Sequence, residues 1–145
     1  MSTSYNPQTG LYYVMTLESC GVYSKSSARW ERGKSFYGGG TRRALGDINQ
    51  KDLRGIDIPM GKIVWEYPQI GPGASWGGLL STGGGIVFFC DDSGAFAAVD
   101  AKSGTPLWHF NASQSWHASP MTYAVEGTQY VGVADRSNIL AFVLA

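Results

Sequence analysis

The sequence predicts an all-β chain assembled from repeated four-stranded sheets, and three observations carry that reading. The stretch Ala98 to Trp108 places Asp100, Gly104 and Trp108 between two apolar runs. Asp100 can accept bonds from backbone N–H groups just downstream and start a turn, and Gly104 can take positive φ and end it. The stretch Gly55 to Trp65 repeats the pattern: Asp57, Gly61 and Trp65 each precede their counterparts by 43 residues. A period in this range belongs to sheet units such as propeller blades. Twenty glycines, eight tyrosines and five tryptophans suit many short strands and tight turns. The expected fold is therefore a partial β-propeller of about two and a half to three four-stranded antiparallel blades. The competing reading is a pair of unrelated hairpins that share turn chemistry.

Each element follows in order. Tyr5 to Thr16 reads as strand, turn, strand, with the turn at Asn6-Pro7-Gln8-Thr9-Gly10. Glu18 to Asp52 holds Lys25, Arg29, Arg32, Lys34, Arg42, Arg43 and Lys51, the triplet Gly38–Gly40 and few apolar runs. It reads as a surface excursion with a short helical turn near Ser27–Arg32. Either a solvated loop or a contact surface fits its charge. The first Asp–Gly–Trp unit follows, then a connector from Pro68 to Gly78 rich in glycine and proline. Leu79 to Cys90 is a hairpin turning at Gly83–Gly85, and the second Asp–Gly–Trp unit completes four strands. Asn111 to Ser119 is the next connector. Met121 to Val133 is a third hairpin turning at Glu126-Gly127, and Ile139 to Leu144 is one more strand. The count is four strands with an insertion, then four, then three. Pro106 opens an outer strand, where a missing N–H is tolerated. Trp108 is expected in the core, since so large a ring is costly to leave in water. The whole chain reads as one domain, 1–145: a blade over 3–67 with the insertion 18–52, a blade over 76–110 and an incomplete blade over 119–145.

Composition excludes several function classes. Eleven basic and eleven acidic residues cancel, so no basic stripe favours nucleic acid. The longest apolar run, Ile86 to Cys90, is far too short for a membrane span, and the first residues lack a signal-peptide pattern. Cys20 and Cys90 have no CxxC spacing; two free thiols or one disulfide both remain open. His109 and His117, the two histidines, have no carboxylate spacing that makes a metal site. Asp91-Asp92-Ser93-Gly94 lacks the spaced acids of a calcium loop and reads as a hairpin turn. The two glycine triplets have no Lys-Ser/Thr and so form no phosphate loop. Asn111-Ala112-Ser113 fits a glycosylation sequon, as short chance matches often do. No catalytic or metal residue is assigned from the sequence.

These motifs resemble the C-terminal part of PQQ-dependent (quinoprotein) alcohol dehydrogenases of the methanol and ethanol dehydrogenase type. The Gly55–Trp65 and Ala98–Trp108 stretches look like that family's tryptophan-docking motif, with Gly55 where alanine is usual. The run from Trp76-Gly77-Gly78 to Phe88 looks like its W-G-G-x-x-x-T-x-G-x-x-V-F segment. Ser4 to Val14, and Ala118 to Tyr123 with Gly127 to Val131, match as well. The resemblance weakens over Ser24–Asp52.

The resemblance implies blades of a larger, eight-bladed propeller that binds pyrroloquinoline quinone and usually Ca²⁺ on its axis. It also implies oxidation of alcohols in the periplasm. It places the catalytic aspartate, the calcium ligands and an adjacent-cysteine ring upstream of Met1. Only Trp76 and Gly77 then fall where the family touches the cofactor, at the rim of the quinone; a core aromatic between blades is the other reading of Trp76. The expected function is a fragment of such a dehydrogenase, supplying blades and one edge of the quinone pocket and inactive alone. The alternative is a non-catalytic propeller module used as a scaffold or binding surface. Partners are the rest of the parent propeller, or self-association through open blade faces.

Overall fold

The computed structural model describes residues 2–47, 49–71, 76–113, 115–135 and 138–143. Contacts divide the chain into two units, 1–16 with 51–145 and the excursion 17–50. The first unit holds three antiparallel sheets and no helix among the described residues. Blade 1 is formed by β1 (Ser4–Asn6), β2 (Leu11–Glu18), β5 (Gln50–Asp57) and β6 (Lys62–Pro68), in that spatial order. Blade 2 is the simple meander β7 (Leu79–Ser81), β8 (Ile86–Cys90), β9 (Ala95–Asp100) and β10 (Pro106–Asn111). Blade 3 has β11 (Met121–Val125), β12 (Thr128–Asp135) and β13 (Asn138–Val143). This is the expected partial propeller. Part of the 68–78 connector, one residue of the 111–119 connector, and Leu144 lie outside the described residues.

Burial follows from which faces a neighbour covers. Blade 2 is covered on both sides, so β8 and β9 are buried along nearly their whole length. Val87, Phe89, Ala97 and Val99 pack toward blade 1 with Leu11, Tyr13, Met15, Leu53 and Trp65. Phe88, Cys90, Phe96 and Ala98 pack toward blade 3 with Trp116, Val131 and Val133. A fully buried strand reads as a continuous apolar run, which is what Ile86 to Cys90 shows. The end blades alternate instead. Directly opposed residues share a face, so Met121, Tyr123 and Val125 lie with Tyr130, Ile139 and Val143 on the far side of blade 3. Most of that apolar face is exposed, and Tyr123 stacks on Tyr130 with centroids 5.2 Å apart.

The repeated Asp–Gly turns form as expected. Asp100 accepts from the N–H groups of Lys102 and Ser103, at 3.0 and 2.9 Å. Gly104 has φ +70° and Gly61 φ +62°. Each outer strand also bulges at the same place, Val64 in β6 and Leu107 in β10, one residue before the tryptophan.

The two tryptophans differ. Trp65 is 8% exposed and donates from Nε1 to the Ala101 carbonyl at 3.1 Å. Trp108 is not the core residue expected: it is 40% exposed, with its ring edge-on to Phe96 and Phe142. No Asp–Gly turn follows β13 among the described residues to cover it.

The excursion, taken by itself, contains an antiparallel hairpin, β3 (Gly21–Lys25) with β4 (Gly39–Arg43). The helical turn expected near Ser27–Arg32 is absent; that stretch is irregular and turns at Arg32–Gly33. Ser26 Oγ accepts the Ala28 N–H at 3.3 Å and Gly33 has φ +81°, and both compete with a helix.

Candidate functional site

The inner strands β1 and β7 lie beside each other, and the segments that lead into β7 and β11 carry the candidate residues. Trp76 donates its backbone N–H to the Trp116 carbonyl at 2.8 Å, and Gly78 donates to Ala118 at 3.3 Å. The donors and acceptors advance in step, as in a short parallel ladder. Ser2 joins from blade 1, bonding the Leu79 N–H at 3.3 Å and Ser119 Oγ at 3.0 Å. Below it Ser4 Oγ meets Ser81 Oγ at 2.6 Å, and Asn6 Nδ2 donates to the Thr82 carbonyl at 3.1 Å.

Glycine is required twice here by close approach. A Cβ at Gly77 would lie 2.9 Å from Cys90 Cβ and 3.1 Å from the Ala118 oxygen. At Gly78 it would overlap the hydroxyls of Ser2 and Ser119. The backbone beside Trp76 is therefore held flat against blade 2 and blade 3. Trp76 itself is 59% exposed, its indole outside both apolar clusters. Trp116, three-dimensionally its neighbour through that backbone bond, has the opposite fate. It is fully buried against Phe96, 6.0 Å between centroids, and its Nε1 finds no acceptor among the described residues.

Cys90 lies under Gly77 and is buried, and burial with the nearby Asp91 pushes its thiol up to about 12. A thiol so placed is a packing group rather than a nucleophile. Cys20 is free and exposed, so the disulfide between them does not form.

The remaining sequence candidates resolve individually. Asp91 Oδ1 accepts from Ser93 Oγ and from the N–H groups of Ser93 and Ala95, at 2.6, 2.9 and 3.0 Å, which makes it a turn residue. Asp92 is buried and paired with Lys51. His109 sits on β10, and His117 is exposed on the connector beside Trp116. Among the described residues no group of three or more His, Cys, Asp or Glu could hold a metal ion. No helix among them is long and apolar enough to cross a membrane.

Residues 55–131 match the family described as glucose/ethanol/alcohol dehydrogenase, beta-propeller domain, with PQQ as its label. The chain belongs to this PQQ-dependent dehydrogenase family. It is similar to the quinoprotein ethanol dehydrogenase of Pseudomonas aeruginosa, 35% identical over 131 residues that cover 90% of this chain and 21% of that protein. It is 33% identical to the lanthanide-dependent methanol dehydrogenase of Methylacidiphilum fumariolicum, covering 90% of this chain and 22% of that one. Among solved structures, a europium-containing methanol dehydrogenase superposes with a TM-score of 0.80 at 30% identity, over 90% of this chain and 23% of its own length. The chain thus spans about a fifth of the relatives it matches.

The structure brings the segment of Trp76 and Gly77 against the segment that leads into blade 3. Ser2, Trp116 and Ser119, which the sequence motifs did not mark, touch it there. The connector position of Trp116 hides its burial, because the Asp–Gly–Trp repeat does not include it. Its partners come from two blades, and no local spacing signals that.

Proposed function

We propose that this chain is a C-terminal part of a PQQ-dependent alcohol dehydrogenase, contributing three adjacent blades and one edge of the quinone pocket. The single observation that carries the reading is Trp76. A large aromatic ring stands exposed on a backbone pinned at Trp76 N–H and Gly78 N–H. An exposed indole beside a side-chain-free glycine is a surface on which a flat aromatic group can lie. These residues fit an o-quinone cofactor, with Trp76 offering ring contact and Gly77 allowing close approach. When bound, PQQ supplies the two-electron acceptor chemistry, and the protein supplies position. The lanthanide named for one relative, or calcium, takes its ligands in the parent from segments other than these.

The exposed apolar face of blade 3 fits the same reading. Met121, Tyr123, Val125, Ile139 and Val143 are what a following blade would cover. Without the rest of the propeller, patches of this kind favour self-association. The parent acts on alcohols in the periplasm in this reading, and the isolated chain is inactive because the base and most of the quinone site lie elsewhere.

Titration of the chain with PQQ, read by tryptophan fluorescence, tests the pocket edge. Saturable quenching that falls away in Trp76→Ala is expected. Quenching unchanged by that substitution would remove Trp76 from the quinone edge. Turnover of ethanol by the isolated chain with PQQ, Ca²⁺ and a dye acceptor would overturn the fragment reading.

A further inference from the structure

The excursion carries a surface that the propeller reading does not use. In the β3–β4 hairpin Gly21 lies opposite Arg43, Tyr23 opposite Thr41, and Lys25 opposite Gly39. Opposed residues share a face, so Arg43, Tyr23 and Lys25 follow one another along one face, each across from a small residue. The Tyr23 ring leans over Gly21, where an added Cβ would lie 3.6 Å from it. At the Lys25 end this face opens into a cleft of about 420 Å³, walled by Tyr23 and Tyr37 and floored by the backbone of Gly38–Gly40. A Cβ at Gly39 would collide with the Ser24 carbonyl, so the floor stays bare. Tyr23 is 81% and Tyr37 90% exposed.

Charge points the same way. The neutral total hides a split: the excursion has six cations, Lys25, Arg29, Arg32, Lys34, Arg42 and Arg43, against Glu18, Glu31 and Asp47. Glu31 is taken by Lys34 at 2.6 Å, and Asp47 by Ser19 at 2.8 Å and Arg43 at 3.8 Å. Lys25, Arg29, Arg32 and Arg42 form no ion pair among the described residues. Among the described residues neither edge of this two-stranded sheet is paired, and such a sheet gains little stability alone. Tyrosine and arginine interleaved on exposed backbone is the composition of a protein interface rather than of a face packed inside one chain.

We propose that this hairpin docks an acidic, extended segment of a partner protein. A carboxylate of the segment sits on Lys25 between Tyr23 and Tyr37, and its backbone adds to a free strand edge.

The test is fluorescence anisotropy of a fluorescein-labelled peptide of alternating glutamate and threonine, titrated with the whole 145-residue chain. Lys25→Glu is expected to weaken binding about tenfold or more, and Tyr37→Ala severalfold. Raising salt from about 0.05 M to about 0.5 M should weaken it further, while Lys102→Glu on blade 2 should leave it unchanged. All three positions are exposed, and an unaltered denaturation midpoint verifies each fold. No binding by the wild type, equal binding of a lysine–threonine peptide, or equal loss in Lys102→Glu would overturn the proposal. So would tighter binding of a single-stranded oligonucleotide. A dimer in light scattering that Lys25→Glu dissolves would assign the face to a second copy instead, and would overturn it too.

Discussion

Trp65 and Trp108 occupy the same place in the same motif and live in different surroundings. The ring of Trp65 lies between Gly55 of its own blade and Gly104 of the next, where an added Cβ would come within 2.5 Å of it on either side. Tyr13 stacks on it at 5.8 Å, and Tyr13 Oη and Trp65 Nε1 both donate to the Ala101 carbonyl, at 3.0 and 3.1 Å. Trp108 has Ala98 in place of Gly55, and its ring makes edge-to-face contacts with Phe96 and Phe142. The motif's tryptophan is thus a bond to the following blade. Its own sheet provides half of the site, and the neighbour's Asp–Gly turn provides the acceptor and the second wall.

Four measurements test the contrast between the two rings. The largest effect is expected from Trp65→Ala, about 3–5 kcal/mol by denaturant midpoint, against about 1–2 kcal/mol for Trp108→Ala. Equal losses would mean that the two rings are equally docked. Gly104→Ala comes next, at about 2–3 kcal/mol, because it strains a positive-φ turn and drives a methyl into the Trp65 ring. A neutral result would show that the ring can slide away, and that the turn is not its wall.

Tyr13→Phe is expected to cost about 1–2 kcal/mol, because its hydroxyl bonds both the Ala101 carbonyl and Thr9 Oγ1. Burial raises the Tyr13 pKa above its ordinary value, so its hydroxyl remains the donor throughout the neutral range. A double-mutant cycle with Trp65→Phe should show coupling, since both side chains share one carbonyl.

The smallest effect is pH-dependent. The hydroxyl and N–H of Ser103 hold the Asp100 carboxyl below its ordinary value of 3.8. A depressed carboxyl stabilises the fold above that ordinary value and loses the contribution as pH falls through the lower, folded one. Asp100 is well solvated, so the loss is a few tenths of a kcal/mol, about the worth of an exposed charged contact. Stability measured from about pH 5 to about pH 2 should fall slightly less in Asp100→Asn than in wild type. An identical slope would remove Asp100 as the charge that fastens this turn.

Much of this was legible because it is local. Asp100 bonds residues two and three ahead of it, and Gly104 needs only its own φ, so the turn and its repeat are visible in eleven consecutive residues. The alternating burial of β2 and the unbroken burial of β8 are likewise written in residue order, since strand faces have a period of two. The excursion was less legible: Val22-Tyr23 and Gly39-Gly40-Thr41 pair across many intervening residues, with glycines that usually speak against strands.

Residue order alone therefore carried the all-β class, the strands of the three blades, the repeat and its turns, but not the β3–β4 hairpin of the excursion. Only the tertiary structure decided that Trp65 is docked and Trp108 open, that Trp116 is buried while Trp76 stands exposed, and that Cys90 lies sealed beneath Gly77. Turn chemistry acts over a few bonds of the chain. Burial depends on which blade stands next in space, and nothing within a single repeat encodes whether that neighbour is there.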